Sequence, residues 1–132
     1  MVHMQIERLF GIEFSENIRK LIEQNVSIVN FPSHKTVLLE GDHSSCMYII
    51  QIGIVRGYYI DDQGNDITKC FYQEGDIYAY EGFQTELPSP FTIECLENCN
   101  CMKIPYNLLK KIMVMDNDIF HEIGKFYKRE VH

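Results

Sequence analysis

The chain has 132 residues, 45% of them hydrophobic and 23% charged, with a formal net charge of −7 at pH 7. That balance supports one globular domain with its own core, and the acidic excess argues against this segment gripping nucleic acid by itself. No apolar run reaches the length of a membrane-spanning helix and the opening MVHMQIERLF has no signal-peptide layout, so the expectation is a cytoplasmic protein with no membrane partner.

Residues 4–24 read as helical, because Ile6, Leu9 and Phe10 recur at helical spacing and so do Ile18, Leu21 and Ile22. Ser15 is placed to cap the second segment, with Glu16 in its first turn. Residues 1–25 are thus expected to form a helical lid. From Ser27 the texture turns to short β-rich segments: SIVNF, KTVLLE, MYIIQI, IVRGYYI, DITKCFY, FTIEC and CMKI. Turn residues separate them, at Pro32, Gly41-Asp42, Gly53, residues 61–64, Glu74-Gly75 and Glu97-Asn98. Strands so short and evenly spaced predict a sandwich or barrel over residues 26–105. DDQGND reads as a hairpin turn, since Gly and Asn tolerate positive φ.

Pro105 ends the last strand and YNLLKKIM follows as a short helix. Asp116, Asn117 or Asp118 then caps a final helix from Ile119. On it Ile119, Ile123 and Phe126 make one apolar stripe, and Phe120, Gly124, Tyr127 and Val131 a second. A face that wide buries more than one side.

A resemblance rests on Glu40-Gly41-Asp42, Met47 to Ile50, Gly53-Ile54-Val55-Arg56 and Gly75-Asp76, at matching intervals. Gly41, Gly53 and Gly75 are expected at corners where a Cβ would clash. With the stretch GDIYAYEGFQTELPSPFT (Gly75 to Thr92), this framework resembles the cyclic-nucleotide-binding domains of catabolite-activator/fumarate-nitrate (Crp/Fnr) transcription regulators. The resemblance implies a mainly β fold, a double-stranded β-helix (jelly-roll β-roll) flanked by N-terminal and C-terminal helices. It implies one domain over residues 1–132, with residues 106–132 leading to a dimer helix. It also implies a homodimer through that helix, and DNA contact only through a helix-turn-helix domain outside this chain. The implied role is ligand-responsive transcription control, not enzyme catalysis.

In that family the ligand cassette reads Gly-Glu-Leu-Ala, a variable insert, then Pro-Arg-Ala-Ala-Thr. The resemblance makes Gly75, Asp76, Ile77, Tyr78, Ser89, Pro90 and Phe91 the ligand-binding residues. Asp76 stands for the ribose-binding Glu, and Ser89 or Pro90 for the phosphate-binding Arg. Tyr127 or Glu130 would contribute from the final helix. A buried phosphate must be paired, and a guanidinium pairs it best. Between Gly75 and Thr92 there is no Lys, Arg or His, while Asp76, Glu81 and Glu86 are acidic. Cyclic AMP held in the family's way is therefore not expected, and neither is any cofactor. An unidentified uncharged or flat ligand among Tyr78, Tyr80, Phe83 and Phe91 stays open, beside a pocket collapsed on its own side chains.

Five cysteines in a chain without a secretory layout fit free thiols in a reducing compartment. Strand alternation points Cys95 inward and Cys101 outward with Lys103, and puts Cys99 in a turn. Three diverging sulfurs make no metal site. Cys99 and Cys101 stay candidates for a thiol redox switch. No H-x-H pair, nucleophile–base motif, P-loop or dinucleotide fingerprint appears, so no enzyme is expected. The remaining alternative is a ligand-free β-roll serving as a dimerisation or scaffold module.

Overall fold

The computed structural model describes residues 1–131, with side-chain detail for residues 1–125. Two helices, α1 (Val2–Phe10) and α2 (Glu16–Asn25), precede the strands β1 (Ser27–Phe31), β2 (Thr36–Leu38), β3 (Cys46–Ile52), β4 (Val55–Ile60) and β5 (Asp66–Tyr72). Then come β6 (Ile77–Tyr78), a short helix α3 (Glu81–Thr85), β7 (Thr92–Cys95) and β8 (Cys99–Pro105). Helices α4 (Tyr106–Met115) and α5 (Asn117–Val131) follow. Each β-rich segment of the sequence is a strand; β6 and α3, inside the cassette, are additions.

The strands form two four-stranded antiparallel sheets, ordered β1-β8-β3-β6 and β2-β7-β4-β5. This is the jelly roll that the resemblance implied. Strand β8 lies between β1 and β3, with Met102 opposite both Ile28 and Ile49. One hydrophobic cluster fills the space between this sheet and the helices, joining Met47, Ile49, Met102 and Ile104 to Ile6, Ile18, Ile22, Leu109 and Ile112. A second fills the roll itself, with Ile50, Val55, Tyr78, Ile93, Cys95, Cys99 and Cys101.

Strand β8 is therefore buried on both faces, which corrects the outward placement of Cys101 and the turn placement of Cys99. Cys99 begins the strand at 1% exposure and Cys101 lies inside it at 0%. The alternation argument assumed a strand with one solvated face. Helices cover the face that carries Met102 and Ile104, so the opposite face is free to point into the roll.

The helical caps form as the sequence predicts. Ser15 Oγ accepts the Ile18 N–H at 3.3 Å, and Asp116 Oδ1 accepts the Ile119 N–H at 3.1 Å. Helix α1 is tied to α2 by the Glu7 carboxylate, which accepts the Phe14 N–H at 2.7 Å and pairs with Arg19. Of the stripes on α5, Ile123 is buried, and Ile119 and Phe120 pack against the helix-side cluster. The side chains of Phe126, Tyr127, Glu130 and Val131 lie outside the described residues.

Gly53 is the corner where a side chain fails outright. Its φ is 112°, and a Cβ there would stand 2.5 Å from Cys99 Sγ and 2.8 Å from the Asn98 carbonyl oxygen. At Gly41 a Cβ meets nothing, and at Gly75 only Leu9 at 3.6 Å, so those corners need positive φ rather than space.

Candidate functional site

After β6 the chain makes a left-handed step at Ala79 (φ 63°), winds through α3, makes another at Glu86 (φ 57°) and returns as Leu87-Pro88-Ser89-Pro90. This excursion encloses a cleft of about 190 Å³. Ala79, Glu81, Gly82 and Thr85 form one wall, residues 87–90 a second, and Leu38 with Ser44 the third.

Tyr106, the first residue of α4, fixes the excursion from below. Its hydroxyl donates to the Ala79 carbonyl, its N–H donates to the Ser45 carbonyl at 2.9 Å, and its ring meets Phe83 edge-on at 5.4 Å. A Cβ on Gly82 would lie 2.9 Å from that hydroxyl, so a larger residue there would push the Tyr106 side chain aside. The opposite lip is tied by two backbone bonds. Gly41 N–H donates to the Ser89 carbonyl and Ser89 N–H to the Asp42 carbonyl, both at 2.8 Å.

Of the residues that the sequence suggested, Ser89 and Pro90 line the cleft. Gly75 sits in a turn beside Leu9 of α1, its N–H donating to the Ile50 carbonyl at 2.8 Å. Asp76 belongs to the same turn, its carboxylate accepting the Gln73 N–H at 2.8 Å. Ile77 is in the helix-side core. Tyr78 is in the roll, stacked on Tyr48 at 5.0 Å and with its hydroxyl 3.6 Å from Cys101 Sγ. Phe91 packs with the roll's interior cluster. The cleft therefore begins at Ala79, where the backbone takes a left-handed turn that a glycine usually supplies. Sequence reasoning missed Leu38, Ser44, Ala79, Glu81, Gly82, Thr85, Leu87 and Pro88 as lining residues. Only Gly82, a second glycine after Gly75, hinted at them.

The aromatic residues do not gather around the cleft. Tyr78 and Tyr80 are at 0% exposure. Phe83 turns to Tyr80 at 6.0 Å, to Tyr106 and to Phe120 of α5 at 5.6 Å. Gly124 of α5 lies beside the Tyr80 hydroxyl, so the cassette touches the last helix at two points. Burial pushes the phenols of Tyr78, Tyr80 and Tyr106 upward, and they stay protonated at neutral pH.

Among the described residues, Glu81 is the one ionisable side chain lining the cleft. The thiols lie elsewhere. Cys95, Cys99 and Cys101 share the interior cluster rather than diverging, with the Cys99 thiol placed to donate its one proton to either the Glu97 carbonyl at 3.2 Å or the Ile54 carbonyl at 3.5 Å. Burial pushes the Cys101 thiol up to about 11, and burial with the neighbouring Cys99 raises Cys95. Among the described residues no group of His, Cys, Asp or Glu is arranged to hold a metal ion.

Residues 28–116 match the family model described as "Cyclic nucleotide-binding domain". The chain is 23% identical over 97 residues to "Transcriptional activator protein FnrA" of Stutzerimonas stutzeri, covering 74% of this chain and 39% of that one. It spans about two fifths of the length of the regulators it matches. Among solved structures, the sensor domain of the transcriptional regulator DNR from Pseudomonas aeruginosa superposes with a TM-score of 0.79 at 17% identity, covering 97% of this chain and 88% of that one. The Thermus thermophilus catabolite activator protein gives 0.76 at 13% identity, covering 93% and 58%. No helix of the described residues is long and apolar enough to cross a membrane.

Proposed function

The chain belongs to the cyclic-nucleotide-binding domain family, and from that premise we propose that it is the sensory domain of a catabolite-activator/fumarate-nitrate-type transcription regulator, with the cleft beside α3 as its effector site. It works by binding and not by catalysis. The observation that carries this reading is the contact between Phe83, on the helix that walls the cleft, and Phe120 of α5. An effector that repositions α3 changes the packing offered to α5, which is the differential contact that any ligand-driven shift requires. Helix α5 would pair with that of a second copy and pass the change to a DNA-binding domain.

The effector is not a cyclic nucleotide held in the family's manner. Among the described residues the cleft walls carry no Lys, Arg or His, and their one charge is the Glu81 carboxylate. A phosphate there would meet a like charge and no guanidinium. The volume, about 190 Å³, also falls below the roughly 300–1,000 Å³ usual for small-molecule sites. Calorimetry with cyclic AMP and cyclic GMP is expected to show no binding heat. Micromolar binding of either would overturn this reading of the cleft.

A further inference from the structure

The cleft's polar groups are almost all spoken for, and the way they are used selects a ligand. Ser44 Oγ donates to the Cys46 carbonyl at 2.6 Å, Thr85 Oγ1 to the Glu81 carbonyl at 2.9 Å, and Ser89 Oγ to the Phe91 carbonyl at 2.7 Å. A hydroxyl has one proton to give, so these three offer a ligand only lone pairs. The backbone repeats the pattern along the second wall. Leu87 N–H is committed to Thr85 Oγ1 at 3.2 Å and Ser89 N–H to the Asp42 carbonyl, while Pro88 and Pro90 have none to give. What remains is an apolar surface from Leu38, Ala79, Leu87 and the two prolines, with acceptors on its rim and the half-buried Glu81 as its charge. The segments that form the walls also carry Asp42 and Glu86, with His43 their one group able to become positive.

Hydroxyls whose protons are already given, a second wall with no free N–H, an apolar lining and one carboxylate together describe a receptor for a donor. We infer that the cleft takes a small organic cation, an ammonium or amidinium group on a compact apolar body, with the positive group at Glu81 and the hydroxyl lone pairs and the body against Leu38, Leu87 and the prolines. This rests on the reading of the cleft as the effector site and names the ligand class for it. A carboxylate or phosphate ligand would bring acceptors to the three committed hydroxyls and a like charge to Glu81. A neutral ligand of the same shape fits the apolar walls and forgoes the charge.

Titration of the isotopically labelled 132-residue chain, followed through its amide resonances, tests this with three matched probes: benzylamine, benzyl alcohol and benzoate. Benzylamine is expected to shift the amides of Gly82, Thr85 and Leu87 most, benzyl alcohol less, and benzoate not at all. Glu81→Gln is expected to weaken benzylamine by about fivefold, the scale of a partly exposed charge pair, and to leave benzyl alcohol unchanged. Benzoate equalling benzylamine, amine shifts scattered over the acidic surface and indifferent to Glu81→Gln, or silence from all three probes would each overturn the cation assignment and leave the sensory reading standing. Cyclic AMP shifting the same amides would instead remove the exclusion of the nucleotide.

Discussion

Phe83 of α3 and Phe120 of α5 meet edge to face, their ring centroids 5.6 Å apart and their planes at 62°. Edge-to-face pairs of this kind add to area burial through the ring quadrupoles. Phe120→Ala is expected to lower unfolding stability by roughly 2 kcal/mol, less than a fully buried Phe because both rings are partly exposed. It should also shift the amide resonances of Gly82 and Thr85, across the contact. A destabilised variant whose α3 resonances stay in place would show that the cleft and the last helix are not coupled.

Ala79 holds a left-handed backbone (φ 63°) while its carbonyl is gripped by the Tyr106 hydroxyl. A non-glycine residue there is strained by roughly 1–2 kcal/mol. Ala79→Gly relieves that strain but adds unfolded-chain entropy and loses a buried methyl. The expected result is a small gain or near neutrality, within about 1 kcal/mol by urea denaturation. Ala79→Val should cost about 2 kcal/mol or more, since a branched Cβ is worst in this region.

Two corner glycines give opposite answers to one substitution. Gly53→Ala puts a methyl 2.5 Å from Cys99 Sγ and 2.8 Å from a carbonyl oxygen, and is expected to cost about 3 kcal/mol or more, combining overpacking and strain. Gly41→Ala enters open space and carries only its positive-φ penalty, about 1 kcal/mol. Equal denaturation midpoints for the two variants would contradict the packing at the β3–β4 corner.

Acid should loosen the α1–α2 pair. The Phe14 N–H, and then the Arg19 guanidinium, hold the Glu7 carboxyl below its ordinary value of 4.5. His3 does the same for Glu23, chiefly through its backbone N–H. A depressed folded-state value means stability that is fully present above pH 4.5 and is lost as pH falls through the lowered value. Glu7→Gln should therefore flatten the acid limb of the stability curve while lowering stability at pH 7. An unchanged acid limb would mean that Glu7 is not the linked group.

Native thiols should react in an order set by burial. Cys101, raised to about 11, has about one thiolate in 1,000 at pH 8, and Cys95 and Cys99 share its enclosure. Cys70, half-buried on β5, is expected to alkylate first, and the interior three at the rate of unfolding. Fast modification of Cys99 or Cys101 in the folded protein would support a redox role for them.

The strands were legible because period-two patterning and turn residues punctuate the chain from Ser27 to Pro105. Strand β8 misled because Lys103 between Met102 and Ile104 imitates a strand with a wet side, though helices cover Met102 and Ile104. The cleft was harder to place. Gly75 and Asp76 carry the visible glycine-acid pattern but do not line it, and the left-handed turn at its edge falls on Ala79, a residue with no sequence signature for positive φ. Strand β6 has two residues and α3 five, too few for any periodicity to show. The cap at Ser15 was readable because it depends on one local hydrogen bond.

Strand β8 is a wall common to two rooms. Stripping the helices away would wet Met102 and Ile104, and emptying the roll would wet Cys99 and Cys101 on the other side of the same backbone. Neither compartment has an independent boundary, so helices and barrel are expected to melt together in a single transition, with no half-assembled species between them.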